Sequence, residues 1–327
     1  MLKKTFVTVA AATTLALTAC GGGTDAGTGA GGGSGDGITM GFAQVGAESG
    51  WRSANTKSVQ DAAEKAGVDL KFSDAQQKQE NQIKALRSYI QQQVDVIAFS
   101  PVVESGWDTV LKEAKDAGIP VILTDRAVDS SDTSLYKTFL GSDFVEEGKK
   151  AGDWLVEDSA STDGPINIVE LQGTTGAAPA IDRKEGFEAA IAADPDLAIV
   201  ESQTGDFTRS GGKQVMEAFL KNTPDIDVVY AHNDDMGLGA IEAIEAAGKV
   251  PGKDIKIITV DAVKDGMTAL ADGKINYIVE CNPLLGEQLM DLAAKVVAGE
   301  EVPERVVTEE SAFTPEQAKE VLASREY

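Results

Sequence analysis

Short apolar runs alternate with longer amphipathic segments along most of the chain. The first run, residues 40–45, reads Met-Gly-Phe-Ala-Gln-Val, and a helical apolar face follows through Val59, Ala62 and Ala66. The same alternation predicts further strands at 68–72, 94–99, 119–123, 136–141, 167–171, 198–202, 228–231, 255–260 and 277–279. Apolar strands separated by amphipathic helices are typical of parallel sheets that helices cover on both faces.

The alternation runs through two consecutive rounds. Helical patterns are predicted at 53–66, 80–93, 104–117, 144–156, 179–193, 210–220, 235–247, 265–270 and 283–298. The fold class is therefore α/β, with two similar, doubly wound parallel-sheet lobes. A C-terminal run, 302–327, closes the chain.

Polar and aromatic residues gather where the predicted strands end. They are Gln44, Glu48, Trp51, Arg52, Asp125 and Arg126 in the first round, and 173–175, Asp182, Arg183, Asp206, Phe207, 233–235 and Asp261 in the second. In open α/β sheets, ligands bind outside the carboxyl ends of the strands. Carboxylates, amides and arginines bind hydroxyls, and aromatic faces cover apolar ring surfaces. The set suits a neutral, polyhydroxylated ligand held between lobes.

Each of these residues also has a purely structural interpretation. Trp51 could cap the core, and any of the charged residues could form a surface salt bridge. Asp235 is well placed to be a helix N-cap. His232 ends an apolar strand as a structural histidine would, and Cys281 lies in an apolar run as a core thiol would.

The N-terminal residues have the pattern of a lipoprotein leader. Lys3 and Lys4 precede an apolar run, 6–19, that is short for a membrane span. Leu-Thr-Ala before Cys20 resembles a bacterial lipobox, which implies a signal peptide at 1–19 and lipidation of Cys20. The glycine-rich segment that follows, up to residue 37, predicts a flexible tether.

The net charge, the histidine count and the absence of several motifs exclude certain functions. A net charge of −24 is incompatible with a nucleic-acid partner, because phosphate binding needs a basic face. A single histidine excludes metal sites built on several histidines. The sequence contains no nucleophile elbow, Walker A loop or dinucleotide-binding glycine motif after the first strand, so we expect neither an enzyme nor a cofactor.

Several blocks resemble a known family, over residues 38–327. They are Asp125-Arg126, 180–183, 231–236 and 260–261, and the longer blocks 46–52, 76–84, 169–173 and 202–210. The chain resembles the substrate-binding proteins of bacterial ABC sugar importers in the ribose/galactose-binding family. The longer blocks resemble the galactofuranose-binding members of enteric bacteria. Ribose-binding members instead carry an Asn-Pro-Phe-Phe type of turn where this chain has 48–52.

The resemblance implies a periplasmic binding protein type I fold, with two lobes joined by a three-crossover hinge. The implied lobes are 38–141 plus 264–298 and 142–263 plus 299–327. The implied sugar-binding residues are Glu48, Ser49, Gly50, Trp51, Arg52, Asp125, Arg126, Arg183, Phe207, Asn233 and Asp261. Trp51 and Phe207 would sandwich the ring. One further contact would come from Glu280, Cys281 or Asn282, and the sequence leaves this choice open.

The implied function is binding of a monosaccharide, galactofuranose, and its delivery to the permease and ATPase subunits of an importer. The protein would be held by its lipid at the outer face of the bacterial cytoplasmic membrane or in the periplasm. Another pentose, a polyol or a furanosyl signal fits the same fold. A glycosidase and the sugar-sensing domain of a repressor are alternatives of other classes; the leader and the lack of a basic helix-turn-helix segment before Ile38 oppose the repressor.

Overall fold

The protein is described by a computed structural model over residues 37–162 and 164–327. Residues 37–327 form one compact unit. The predicted signal peptide, the lipidation site at Cys20 and the tether up to residue 36 lie outside the described residues. Within those residues, no helix is both long enough and apolar enough to span a bilayer.

The first lobe begins with alternating strands and helices. They are β1 (Thr39–Gln44), α1 (Gly50–Ala66), β2 (Asp69–Asp74), α2 (Gln79–Gln92), β3 (Val96–Phe99), α3 (Asp108–Asp116), β4 (Val121–Thr124) and β5 (Thr138–Gly141). The strands pair in parallel in the order β2-β1-β3-β4-β5.

The second lobe repeats the design. Its elements are α4 (Phe144–Ser159), β6 (Ile166–Gln172), α5 (Ala178–Ile191), β7 (Leu197–Thr204), α6 (Arg209–Asn222), β8 (Val228–Ala231), α7 (Asp234–Ala246), β9 (Lys256–Asp261), α8 (Lys264–Ala271) and β10 (Tyr277–Glu280). Its strands pair in parallel in the order β7-β6-β8-β9-β10.

The chain then returns to each lobe once more. The remaining elements are α9 (Gly286–Val297), β11 (Arg305–Val307), β12 (Ala312–Phe313) and α10 (Pro315–Val321). Helix α9 packs on α1, and β11 adds to β5 in the first sheet. Strand β12 pairs antiparallel with β10 at the edge of the second sheet. The chain thus passes between the lobes three times, near residues 142, 281 and 308–311, as predicted.

The predicted internal lobe boundaries are wrong in two places. Helix α8 and strand β10, which were expected in the first lobe, belong to the second, because β10 pairs with β9 and Met267 and Leu270 of α8 lie in the second-lobe core. Strand β11, expected in the second lobe, completes the first sheet. The first lobe therefore comprises residues 38–141 and 286–307, and the second comprises 144–280 and 312–327.

Both sheets are covered on both faces. Along β3, Val96 and Ala98 contribute to the core under α1 and α9, whereas Ile97 and Phe99 contribute to the core under α2 and α3. Strand β8 divides its residues between two cores in the same way. The uninterrupted apolar runs in the sequence reflect this double coverage.

Candidate functional site

A pocket lies between the lobes, at the carboxyl ends of strands from both sheets. The space between its lining residues amounts to about 290 Å³, part of which is open to solvent. Every predicted contact residue except Gly50 lines it. The lining residues are Glu48, Ser49, Trp51, Arg52, Asp125, Arg126, Phe144, Pro179, Arg183, Phe207, Asn233, Asp261 and Cys281.

The first turn of α1 carries two of these residues into the pocket. The Ser49 hydroxyl caps the helix by accepting a hydrogen bond from the Arg52 backbone N–H at 3.1 Å. The helix begins at Gly50, three residues before the predicted start, so Trp51 and Arg52 are helical. This geometry fixes the direction in which both side chains enter the pocket.

Arg52 and two carboxylates form a buried ionic network in the first lobe. Arg52 Nε donates to Glu48 Oε1 at 3.0 Å, and Arg52 Nη1 lies 2.7 Å from Asp125 Oδ2. Burial opposes ionisation of Asp125, but the guanidinium groups of Arg52 and Arg126 and the Ser100 hydroxyl lower its pKa below the ordinary value. Asp125 is therefore charged at neutral pH.

Two buried polar atoms in this network have no partner among the described residues. They are Glu48 Oε2, an acceptor, and Arg126 Nε, a donor. Arg126 Nη1 donates to the Val102 carbonyl at 3.2 Å, but its Nε remains 3.7 Å from Asp125 Oδ2. Burial and the neighbouring Arg52 lower the pKa of Arg126 to about 10. Buried polar atoms are rarely left unpaired, so both are suited to ligand hydroxyls.

Arg183 on α5 supplies the charged group of the second lobe. Its Nε donates to Glu147 Oε2 at 2.7 Å, and its Nη1 donates to the His232 carbonyl at 2.6 Å. Its Nη2 lies 3.9 Å from Asp261 Oδ1. Burial raises the pKa of Asp261 well above its ordinary value, although Arg183 opposes this shift.

Aromatic rings form two walls of the pocket. The Trp51 indole N–H donates to the Cys281 carbonyl at 2.7 Å, which locks the ring between the lobes. The Phe207 ring packs so tightly on Gly173 that a Cβ there would lie 1.9 Å from Phe207 Cζ. The Arg126 guanidinium lies 5.2 Å from the centre of the Phe207 ring.

Three pocket residues have backbone conformations that side chains other than glycine rarely adopt. The φ angles are 63° at Asp125, 60° at Phe207 and 122° at Asp261. Such conformations persist only where the surrounding structure enforces them, and they concentrate at functional sites. No composition or periodicity signal predicts them.

The structural interpretations are right for some residues and wrong for Asp235. His232 is fully buried, with Nε2 3.1 Å from Glu170 Oε1, and so lies behind the pocket. Asn233, and not Asp235, caps α7: its Oδ1 accepts from the Met236 N–H at 3.0 Å, while its Nδ2 donates to the Phe207 carbonyl. Asp235 Oδ2 accepts from the Gly50 N–H of the other lobe at 2.7 Å.

Of Glu280, Cys281 and Asn282, the structure places Cys281 at the pocket. Glu280 Oε1 accepts from Arg325 at 2.6 Å, and Asn282 Oδ1 accepts from the Leu284 N–H. Cys281 lines the pocket. It follows β10 directly instead of lying within a strand, and it is buried.

Sequence reasoning missed three residues at or behind the pocket. Phe144 follows the carboxyl end of β5, so the search of strand ends could have found it. Pro179 lies in the first turn of α5, where proline is common for conformational reasons. Glu147, the partner of Arg183, is hidden among the acidic residues of the first turn of α4.

The two lobes are in contact around the pocket. Besides the Gly50–Asp235 hydrogen bond, the Glu104 N–H donates to the Gly176 carbonyl at 2.9 Å. The Gln77 side-chain amide donates to the Asp206 carbonyl at 3.3 Å. The structure is thus a closed form in which a small molecule would be enclosed.

Proteins of known structure or function resemble this chain over most of its length. It is 51% identical to the galactofuranose-binding protein of Escherichia coli K12 over 88% of this chain and 91% of that protein. It is 71% identical to a Mycobacterium smegmatis protein crystallised with β-D-fucofuranose, with a TM-score of 0.88 over 89% of this chain and 95% of that one.

A third relative is the periplasmic binding protein component of the arabinose ABC transporter of Shewanella sp. ANA-3, solved with α- and β-L-arabinofuranose. It is 50% identical, with a TM-score of 0.85 over 88% of this chain and 96% of that one. The sequence profile of the periplasmic binding protein domain matches residues 40–301. Fold, pocket position and sequence agree, and the chain belongs to the periplasmic binding protein family.

Proposed function

We propose that this protein binds a monosaccharide in its furanose form, galactofuranose first, and delivers it to the membrane subunits of an ABC importer. The observation that carries the proposal is the closed inter-lobe pocket, which contains a buried acceptor, Glu48 Oε2, and a buried donor, Arg126 Nε, that have no partner in the part of the chain that the structure describes. A hydroxyl group can donate to the first and accept from the second.

The charge balance of the pocket favours a neutral ligand. Its three arginines, Arg52, Arg126 and Arg183, are matched by carboxylates within 4 Å. An anionic ligand would face carboxylates on both sides, and a cationic one would face the guanidinium groups. A sugar offers hydroxyls to both types of group without adding charge.

The walls of the pocket favour a single ring. Trp51 and Phe207, from opposite lobes, supply the apolar surfaces for the C–H faces of the ring. The sugars bound by the relatives, galactofuranose, β-D-fucofuranose and L-arabinofuranose, are five-membered rings of this kind.

Specific roles follow for the lining residues. Asp125, Arg126, Arg183 and Asp261 bind ring hydroxyls, and Glu48 and Asn233 complete the polar contacts. Arg52 orients Glu48 and Asp125 by the hydrogen bonds described above. Gly50 contributes indirectly, because its N–H donates to Asp235 of the other lobe, and not to the ligand, and so stabilises the closed form. Ser49 holds the first turn of α1 in place.

Closure of the two lobes on the sugar couples binding to transport. A sugar that contacts both lobes stabilises the form in which they touch, and the importer's membrane subunits recognise that form. Lipidation of Cys20 and the glycine tether hold the globule at the outer face of the membrane, near the permease and its ATPase. The protein itself carries out no reaction on the sugar.

Isothermal calorimetry on residues 37–327 tests the ligand. We expect D-galactose and D-fucose to bind, and D-glucose, which forms very little furanose, to give no heat of binding. With ¹³C-labelled galactose, the NMR signals of the bound sugar should be those of the furanose ring. Stronger binding of L-arabinose would assign the site to arabinofuranose. Pyranose signals in the bound state would overturn the furanose assignment.

A second experiment tests the lipid anchor. The full chain expressed in a bacterium should partition with membranes, and mass spectrometry should find a diacylglyceryl group on Cys20. The matched variant Cys20→Ser should lose the lipid and leave the membrane fraction. An unmodified Cys20 in the full chain would contradict the anchor.

A further inference from the structure

The three crossovers of the hinge meet in one polar cluster. Ser142 of the first crossover donates a hydrogen bond to Glu310 of the third, and its Oγ lies 3.4 Å from Cys281 Sγ of the second. Glu310 Oε1 also accepts from the Asn282 N–H at 2.9 Å and from Thr308 at 3.1 Å. Any change at Glu310 therefore acts on all three connections between the lobes.

Glu147 joins this cluster from α4. A carboxylate oxygen of Glu147 lies within 4.8 Å of both Cys281 Sγ and a carboxylate oxygen of Glu310, and these two atoms are also within 4.8 Å of each other. Glu147 is 1% exposed. Its Oε2 accepts from Arg183, the pocket arginine, but its Oε1 is buried and has no partner among the described residues. Glu147 thus lies between the hinge and the pocket.

Glu147 is buried, whereas Glu310 is half-buried. Burial and the nearby carboxyl group both oppose ionisation of Glu147. Glu310 Oε1 already accepts hydrogen bonds from Ser142, Thr308 and Asn282, whereas Glu147 Oε1 has no donor among the described residues. Consistent with this, burial raises the pKa of Glu147 to about 8, with Glu310 adding to the shift and Arg183 opposing it.

The other charged and titratable groups around Glu147 and Glu310 come from several elements. Arg305 of β11 donates to the Ser142 carbonyl at 2.7 Å and interacts with the charge of Glu310. Asp261 of β9 and Tyr230 of β8 face the same region as Arg183. The Cys281 thiol is kept neutral by burial, which raises its pKa well above the ordinary value. Lys150, one turn along α4, donates to the Glu310 carbonyl at 3.4 Å and not to a carboxylate. Among the residues that the structure describes, only Arg183 compensates Glu147 directly.

We propose that Glu147 and Glu310 share one proton in the closed protein, and that this proton couples the hinge to the sugar site through Arg183. Glu147 is a positioning residue: with one oxygen it orients Arg183, and with the other it meets the hinge carboxylate. This inference rests on the proposed sugar-binding function. It adds that sugar binding takes up a proton from solvent.

The direction of the pH dependence of sugar affinity follows from desolvation. Closing the lobes on a neutral sugar removes water from beside Arg183 and Glu147, so the closed, sugar-bound form holds the proton more tightly than the open form. Affinity is then highest at low pH, decreases as the pH rises, and levels off above about pH 8. For one linked proton, the steepest change is about tenfold per pH unit.

Calorimetry on residues 37–327 in buffers of different ionisation enthalpy measures the protons taken up per D-galactose bound. We expect uptake just below the Glu147 pKa of about 8. Glu310→Gln, which touches neither the sugar nor Arg183, should remove most of this uptake, and so should Glu147→Gln. Glu146→Gln, an exposed neighbour on α4, is the matched control and should leave the uptake unchanged.

Different results would show failure of the proton coupling and failure of the sugar-binding function. Sugar binding with equal proton uptake in the wild type, E147Q and E310Q would overturn the proton coupling while the function stands. If D-galactose gives no heat, infrared spectra of the sugar-free protein decide: a protonated carboxyl band at neutral pH, absent in E147Q, supports the pair. Stoichiometric zinc binding that C281S abolishes would instead make the cluster a metal site and contradict the shared proton.

Discussion

The pocket contains two arginine-centred networks that differ in how they hold charge. In the first lobe, Arg52 lies against Asp125, whose pKa is lowered, so this pair is ionised. In the second lobe, Arg183 lies between Glu147 and Asp261, whose pKa values are both raised. We therefore expect the second network, and not the first, to respond to protons near neutral pH. Variants in the two lobes should therefore differ in size and pH dependence.

Removing Arg183 should have the largest effect. Arg183→Ala removes the donors to Glu147 Oε2 and to the His232 carbonyl, and each buried acceptor left unsatisfied costs about 1–3 kcal/mol of stability. We expect sugar binding to disappear in calorimetry while thermal unfolding stays cooperative. Arg87→Ala is the control, because Arg87 pairs with Glu113 at the surface. Retained affinity in R183A would refute the role of Arg183.

Neutralising one aspartate in each lobe tests the comparison directly. Asp125→Asn removes an ionised partner of Arg52 and Arg126, with an expected loss of about 1–3 kcal/mol in sugar affinity. Asp261→Asn replaces a carboxyl group that burial already biases toward its neutral form, so its loss at neutral pH should be smaller. Calorimetry at neutral pH measures the loss of sugar affinity in both variants. A larger loss in D261N than in D125N would reverse the assignment.

The second-lobe network should also make stability pH-dependent. A carboxyl group whose folded pKa is raised stabilises the fold fully below its unfolded pKa and loses this contribution as the pH rises through the folded value. For Glu147 the loss ends near pH 8, at up to about 1.4 kcal/mol per pH unit. Chemical unfolding from pH 5 to 9 should show a slope that E147Q reduces and E146Q preserves.

Loosening the contact between the lobes should have the smallest effect. Asp235→Ala removes the acceptor of the Gly50 N–H, worth about 0.5–1.5 kcal/mol, and should speed sugar dissociation several-fold in stopped-flow measurements with little change in association. Arg209→Ala, which removes the ion pairs with Asp235 at 3.2 Å and with Asp265 at 3.0 Å but keeps the Gly50–Asp235 hydrogen bond, should do less. Equal rates in D235A and the wild type would show that this hydrogen bond does not hold the closed form.

The strand-end residues could be predicted because their position follows from topology. Once alternating strands and helices are recognised, Asp125 and Asp261 must each lie at the carboxyl edge of its own sheet. The lobe boundary could not be placed, because the patterns of α8 and β10 would fit either sheet. Only the pairing of Tyr277–Glu280 with β9 assigns them to the second lobe.

Local sequence carries no signal for the features that tune the site. The positive φ angles at Asp125, Phe207 and Asp261 are imposed by the surrounding fold. Glu147 resembles its exposed neighbour Glu146 in sequence, and only the packing of α4 on α5 buries one and not the other. The choice of Cys281 over Glu280 likewise depends on Arg325, a residue far along the chain.

The three crossovers have a consequence for how the chain folds. Each sheet receives its last strand from the final part of the sequence, β11 for the first and β12 for the second. Neither lobe is complete until almost the whole chain is available, and contacts between such distant segments form slowly. A chain exported through a membrane before it folds gains from this delay, because premature structure would block its passage. The connectivity thus predicts that both sheets are completed late in folding.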